Sequence, residues 1–224
     1  MFAAMRPEIL YPLFAEIGAL KGVGPRVAPL LAKLAGPHVR DVAFLAPHSV
    51  IHRVPATVAS ALEGAVQTFA VTIDAYQPPR NPSQPWRVRT FDGTGFLTLV
   101  YFGGMGGRLE AQHPVGARRL VSGKVERFGS EIQVAHPDYL LPVEKADQIP
   151  EIEPVYPATA GLPARTVRRI VLDAVARAAD LPEWQDPAWL ARQAWPSWLE
   201  ALRRLHSPAV EADFSLQAPH RRRL

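Results

Sequence analysis

LTLVYFGGMGGRLEAQHPVGARRLVSGKVERFG, residues 97–129, is the stretch on which the reading of this chain turns. It opens as an apolar strand ending on Tyr101 and Phe102, then places four glycines among positions 103–107. RLEAQH, residues 108–113, follows as the one gap between strands able to hold a helix, and a second alternating run starts at Arg118. Working outward, AVQTFAVTIDAYQ (65–77), WRVRTFDG (86–93) and GFLTLVYF (95–102) read as three strands of period two. RRLVSGKVERFG (118–129) and EIQVAHPDYL (131–140) read as two more. A Pro-rich loop, Asp92-Gly93, the glycine run and Phe128-Gly129 divide them. Five strands with one helix between the third and fourth is the order of an OB barrel. That order names a fold and leaves the ligand open, since such barrels bind nucleic acid, sugars or proteins.

The rest of the chain is helical in pattern. Leu10, Leu13, Phe14, Ile17 and Leu20 keep helical spacing, and so do Val27, Leu30, Leu31 and Leu34. KGVGPRVA, residues 21–28, lies between these runs, with Gly22 and Gly24 free to take positive φ and Pro25 suited to a first helical turn. Such a turn, with Arg26 just inside a helix, fits a helix-hairpin-helix arrangement whose amides hold a phosphate. A plain helical connection needing two glycines fits equally well. Beyond Asp138, LPVEKADQIPEIEPVYP reads as an extended linker. Val167, Ile170, Val171, Ala174, Val175 and Ala178 then form one apolar helical stripe, and Ser197 with Glu200 makes a capping box before Trp198, Leu199, Leu202 and Leu205. The expected organisation is multi-domain α and β: a helical segment 1–62, the barrel 63–142, a linker 143–160 and a helical connector 161–224. The closing PHRRRL looks cut from something longer or reads as a solvated basic tail.

Composition bounds the function. The chain has 224 residues, no cysteine, and 25 Lys plus Arg against 21 Asp plus Glu, which excludes a disulfide scaffold and a thiolate metal site. A pI near 9.7 leans toward a polyanionic partner. The barrel block alone is nearly neutral, with eight basic against seven acidic residues, so half or more of its cations are expected to be ordinary surface. Arg87 and Arg89 share one face of their strand; Lys124 and Arg127 of the fourth strand make a backbone groove with them if the faces coincide. Arg118 and Arg119 are adjacent, so at most one contributes. The histidines are scattered, and His48 and His52 lack a third ligand, so no metal is expected. No apolar run spans a bilayer and no leader is evident, which suits the cytoplasm.

In order along the chain, LKGVGPRVAPLLAKL, VSGKVERFGSEIQVAHPDY, EPVYPATAGLPARTVRRIV, WLEALRRLHSP and HRRRL resemble RecG, the bacterial ATP-dependent branched-DNA helicase family. The resemblance covers nearly the whole chain and corresponds to the family's N-terminal wedge region. It implies a bacterial, nucleoid-associated, monomeric protein that anchors forks or Holliday junctions and splits strands in repair and recombination. It also implies that family aromatics after the third strand stack on bases at the branch; Phe102 matches the first, with Gly103 and Gly104 baring the backbone beside it. A second family aromatic has no counterpart, because Gly106, Gly107 and Arg108 occupy its region, where Arg108 can stack or pair with phosphate. From the residues alone, the favoured reading makes Phe102 the last inward residue of its strand, with Tyr101 facing out.

Catalysis is not expected of this stretch. No G-x-x-x-x-G-K-[ST] loop occurs: Gly123-Lys124 is followed by Val125. The resemblance assigns ATP, magnesium and contact with this chain to the helicase motor. A protein-docking OB module and a single-strand RNA or tRNA binder are the other readings the sequence leaves open.

Overall fold

The computed structural model describes residues 7–81, 83–103 and 106–224. In chain order the regular elements are α1 (Tyr11–Phe14), α2 (Ala28–Leu34), α3 (Val39–Ala43), β1 (Ser49–His52), β2 (Val54–Pro55) and β3 (Val66–Gln77). Then come β4 (Trp86–Phe91), β5 (Phe96–Tyr101), α4 (Gly106–Gln112), β6 (Arg118–Phe128), β7 (Glu131–Ala135) and β8 (Tyr139–Pro142). The last are β9 (Ile152–Val155), α5 (Ala164–Ala176), α6 (Pro187–Gln193), α7 (Trp198–His206) and α8 (Pro219–Arg223). They divide into two units: residues 52–151, and the described residues up to 51 together with 152–224.

The first unit is the OB barrel. β3 pairs antiparallel with β4, β4 with β5, and β5 runs parallel to β7, which pairs antiparallel with β6. β6 closes the barrel on β3, from Val66 opposite Lys124 to Thr72 opposite Arg118. Alternation sends Phe69, Val71, Ile73, Leu97, Leu99 and Val134 into one core. α4 occupies the slot between the third and fourth barrel strands. Gly123 is required by packing: a Cβ there would lie 2.6 Å from Val134 Cγ1.

Two expectations about the barrel's limits change. EIQVAHPDYL is not one strand, because His136 takes a left-handed φ of 44° and breaks it into β7 and β8, which then pairs with β6. The barrel unit also takes in more chain than 63–142. β2 adds a parallel edge to β3, Val58 and Ala61 join the core, and a 3-10 segment, Val143–Gln148, follows β8 directly. The predicted linker is therefore mostly folded.

The second unit joins the two ends of the sequence. β1 pairs with β9, and one cluster holds Leu31, Val39 and Val42 together with Ile170, Val171 and Leu202. One buried cluster draws on both terminal stripes, so the expected separate helical segments form one unit. The α5 stripe is buried as its spacing predicts, and Ser197 Oγ accepts the Glu200 N–H at 3.3 Å to cap α7. The first periodic run is not one helix. Ala15 is extended (ψ 153°), the Ile17 N–H donates to Pro37 O and the Val39 N–H to Ala15 O, so strand-like pairing interrupts it. Leu13, Ile17 and Leu20 are buried nonetheless. The terminal arginines are not a solvated tail: in α8, Arg223 is buried against Glu183 (3.0 and 3.1 Å) and the Trp184 ring, while Arg221 donates to Phe214 O. Among the described residues no helix is long and apolar enough to cross a membrane.

Candidate nucleic-acid interface

β5 alternates apolar residues until its end, and the register with β4 decides which aromatic faces in. Tyr101, opposite Trp86, is 5% exposed and belongs to the barrel core. Phe102, one position past the strand, points the other way and is 55% exposed. The outward placement of Phe102 follows from the two-residue period, with Leu97, Leu99 and Tyr101 on the inner side.

The position of Phe102 is held from β7. The His136 N–H donates to Val100 O at 2.8 Å, which fixes the left-handed turn after Ala135 against the end of β5. The imidazole then lies between the two aromatics, edge-on to Tyr101 at 5.9 Å and tilted 32° to Phe102 at 5.8 Å. Its Nε2 accepts the Phe102 N–H at 3.2 Å. Gly103 follows with φ +86° and open space at its Cβ position, so the backbone beside the ring is bare and in a conformation that favours glycine. Gly104 lies outside the described residues. Burial holds the Tyr101 phenol far above its usual range, so it stays a neutral core group.

Behind this rim is a buried cation that the sequence reading did not single out. Arg53 is 4% exposed, donates to Asp138 (2.9 Å) and Ser122 (3.1 Å), and stacks over the Tyr139 ring. It thereby ties the His136-Pro137-Asp138 turn to β6. The nearest sequence signal was the HPD tripeptide after a strand, a left-handed residue before a proline.

The predicted cations separate into committed and free. Arg87 pairs with Glu131 at 3.0 Å, and Arg89 pairs with Asp74 while lying over Phe96. Both face outward from the barrel, as alternation predicts, but their charges are matched. Lys124 and Arg127 do not share a face, being three residues apart on a strand. Lys124 is exposed and makes no ion pair among the described residues, whereas Arg127 bends to the Ala61 carbonyl at 3.3 Å. The four-residue groove is therefore not formed. Arg119 is spent on His113 Nδ1 (2.9 Å) and backbone carbonyls; burial and, less strongly, that guanidinium lower the His113 pKa. Arg108, on α4, is exposed and has no ion pair among the described residues.

In the other unit the helix-hairpin-helix expectation is corrected. Gly22 does adopt φ +83°, but a Cβ there would meet the Arg169 guanidinium at 3.1 Å, and Gly24 has ordinary φ. The element before the turn is a 3-10 turn, Ile17–Ala19, and α2 starts only at Ala28. Arg26 thus sits exposed in a turn, not at a helix start, and the paired helices that would aim amides at a phosphate are missing. No group of metal-binding side chains occurs among the described residues.

No family model matches the chain. The chain is 30% identical over 204 residues to the ATP-dependent DNA helicase RecG of Acidithiobacillus ferridurans, covering 89% of this chain and 29% of that protein. The structure of RecG bound to a three-way DNA junction matches with TM-score 0.76 at 18% identity, over 95% of this chain and 29% of that one. The chain thus spans under a third of the length of these relatives. The resemblance drawn from the sequence motifs is shown by these matches: over nearly its whole length this chain is similar to the N-terminal wedge region of RecG.

Proposed function

We propose that this chain binds branched DNA as the wedge of a RecG-type helicase, recognising forks or Holliday junctions in repair and recombination and separating strands passively. The observation that carries the reading is Phe102, 55% exposed at the barrel rim beside a left-handed Gly103. An aromatic there can meet the face of any base, so a branch is recognised by shape and not by sequence. Arg108 and Lys124, unpaired among the described residues, supply phosphate contacts; Arg87 and Arg89 contribute little because carboxylates already hold them.

Work on the DNA is assigned to an ATP-driven motor that this reading couples to the wedge. Gly123-Lys124 lies in the middle of β6, packed under Val134, and cannot wrap a phosphate. The role of this chain is binding. Fluorescence anisotropy with a fork, a four-way junction and a linear duplex of equal length, at two salt concentrations, tests it. Branched substrates are expected to bind more tightly, with affinity falling steeply as salt rises. Equal affinity for fork and linear duplex at both salts removes the wedge reading.

A further inference from the structure

The geometry points to His136 as the residue that positions Phe102 for an unpaired nucleobase, and this inference rests on the proposed wedge function. Four observations meet at this side chain. It is exposed, and its backbone is left-handed at φ 44°, a conformation uncommon among non-glycine residues. Its own amide is fixed to Val100 O. Its ring contacts the core aromatic Tyr101 on one side and the exposed Phe102 on the other. Its Nε2 accepts the N–H of Phe102, the backbone group from which the exposed ring hangs.

An exposed phenylalanine on a glycine-rich segment loses rotamer and backbone freedom when it stacks, and that loss weakens binding. A side chain that already holds both the amide and the ring removes much of this cost before DNA arrives. Arg53 extends the support inward, since Asp138, two residues after His136, is held by the buried guanidinium. The arrangement joins three parts of the sequence, residues 53, 100–102 and 136–138, that no local pattern connects. The ligand class is an unpaired base at a strand junction, with the imidazole fixing the angle at which Phe102 is presented.

The test is a cycle of wild type, Phe102→Ala, His136→Asn and the double variant. Asparagine tolerates left-handed backbone but is too short to reach the Phe102 amide; His136→Gly is the second variant should the first fold poorly. Fork and linear-duplex affinities, melting temperature and amide hydrogen exchange at Phe102 are read on each. His136→Asn is expected to weaken fork binding by about fivefold with linear duplex and melting little changed, and to have less than about a twofold effect once Phe102 is Ala. The Phe102 amide is expected to exchange about tenfold faster. Full additivity of the two substitutions, an unchanged Phe102 exchange rate, or equal losses on fork and duplex overturns the assignment. If wild type itself does not prefer forks, the wedge reading fails, and the exchange measurement still decides whether His136 holds Phe102.

Discussion

His206 gives the sharpest test of the helical unit, because one buried imidazole joins three distant segments. It is fully buried on α7, with Nδ1 2.8 Å from the Tyr156 hydroxyl and Nε2 2.8 Å from Ala43 O. A carbonyl only accepts, so Nε2 carries the proton and Nδ1 accepts from the phenol. Both nitrogens are satisfied in the neutral ring, and a second proton would put a charge in the core. Burial accordingly lowers its pKa to about 4, only partly opposed by the Ala43 hydrogen bond. The unfolded chain takes up a proton near pH 6.5, so stability is full above that value and falls as pH drops toward 4. At about 1.4 kcal/mol per pKa unit, the loss from this group between pH 7 and pH 4.5 is about 2 kcal/mol. His206→Gln keeps a donor for Ala43 and an acceptor for Tyr156 but cannot titrate. Urea denaturation followed by helical circular dichroism, at pH 7 and pH 4.5, measures the difference. His113 and His220, also shifted downward with burial as the largest cause, titrate in both proteins and cancel. Equal pH dependence in wild type and His206→Gln would refute the account of a neutral core histidine.

Three further outcomes follow from particular contacts. Gly123→Ala is expected to destabilise the barrel by about 1 to 3 kcal/mol, because the new methyl meets Val134 Cγ1 at 2.6 Å and Pro137 Cα at 3.3 Å; denaturant midpoints measure it. Arg53→Ala is expected to cost about 2 to 4 kcal/mol by the same measurement, since it removes a buried cation from Asp138 and Ser122. Arg108→Ala is expected to lower fork affinity and reduce the slope of log K against log salt by about 0.9, while Arg87→Ala leaves the slope nearly unchanged; anisotropy titrations over a salt series compare them.

The sequence alone specifies the barrel. Period-two runs at 65–77, 86–93, 95–102 and 118–129, separated by turn residues, leave one slot for a helix, and that order admits few topologies. It determined the α5 and α7 faces for the same reason: side-chain direction along a helix or strand is a local property of the backbone. The resemblance to RecG was also legible, because it rests on short motifs and their order. Tertiary structure decided everything that depends on partners distant in sequence. The 143–160 stretch reads as linker until β9 finds β1, and the terminal stripes read as separate bodies until Leu31 and Ile170 share a core. Arg87 and Arg89 look like binding cations until Glu131 and Asp74 neutralise them, and Arg223 looks like tail until Glu183 and Trp184 bury it. The exposure of Phe102 lay between these cases, since either parity of its strand was open until β4 and the core fixed Tyr101 inward. Arg53 carried no local signal and His136 only the turn-like HPD tripeptide, because a left-handed residue and a buried guanidinium acquire their roles only from the chain that folding brings against them.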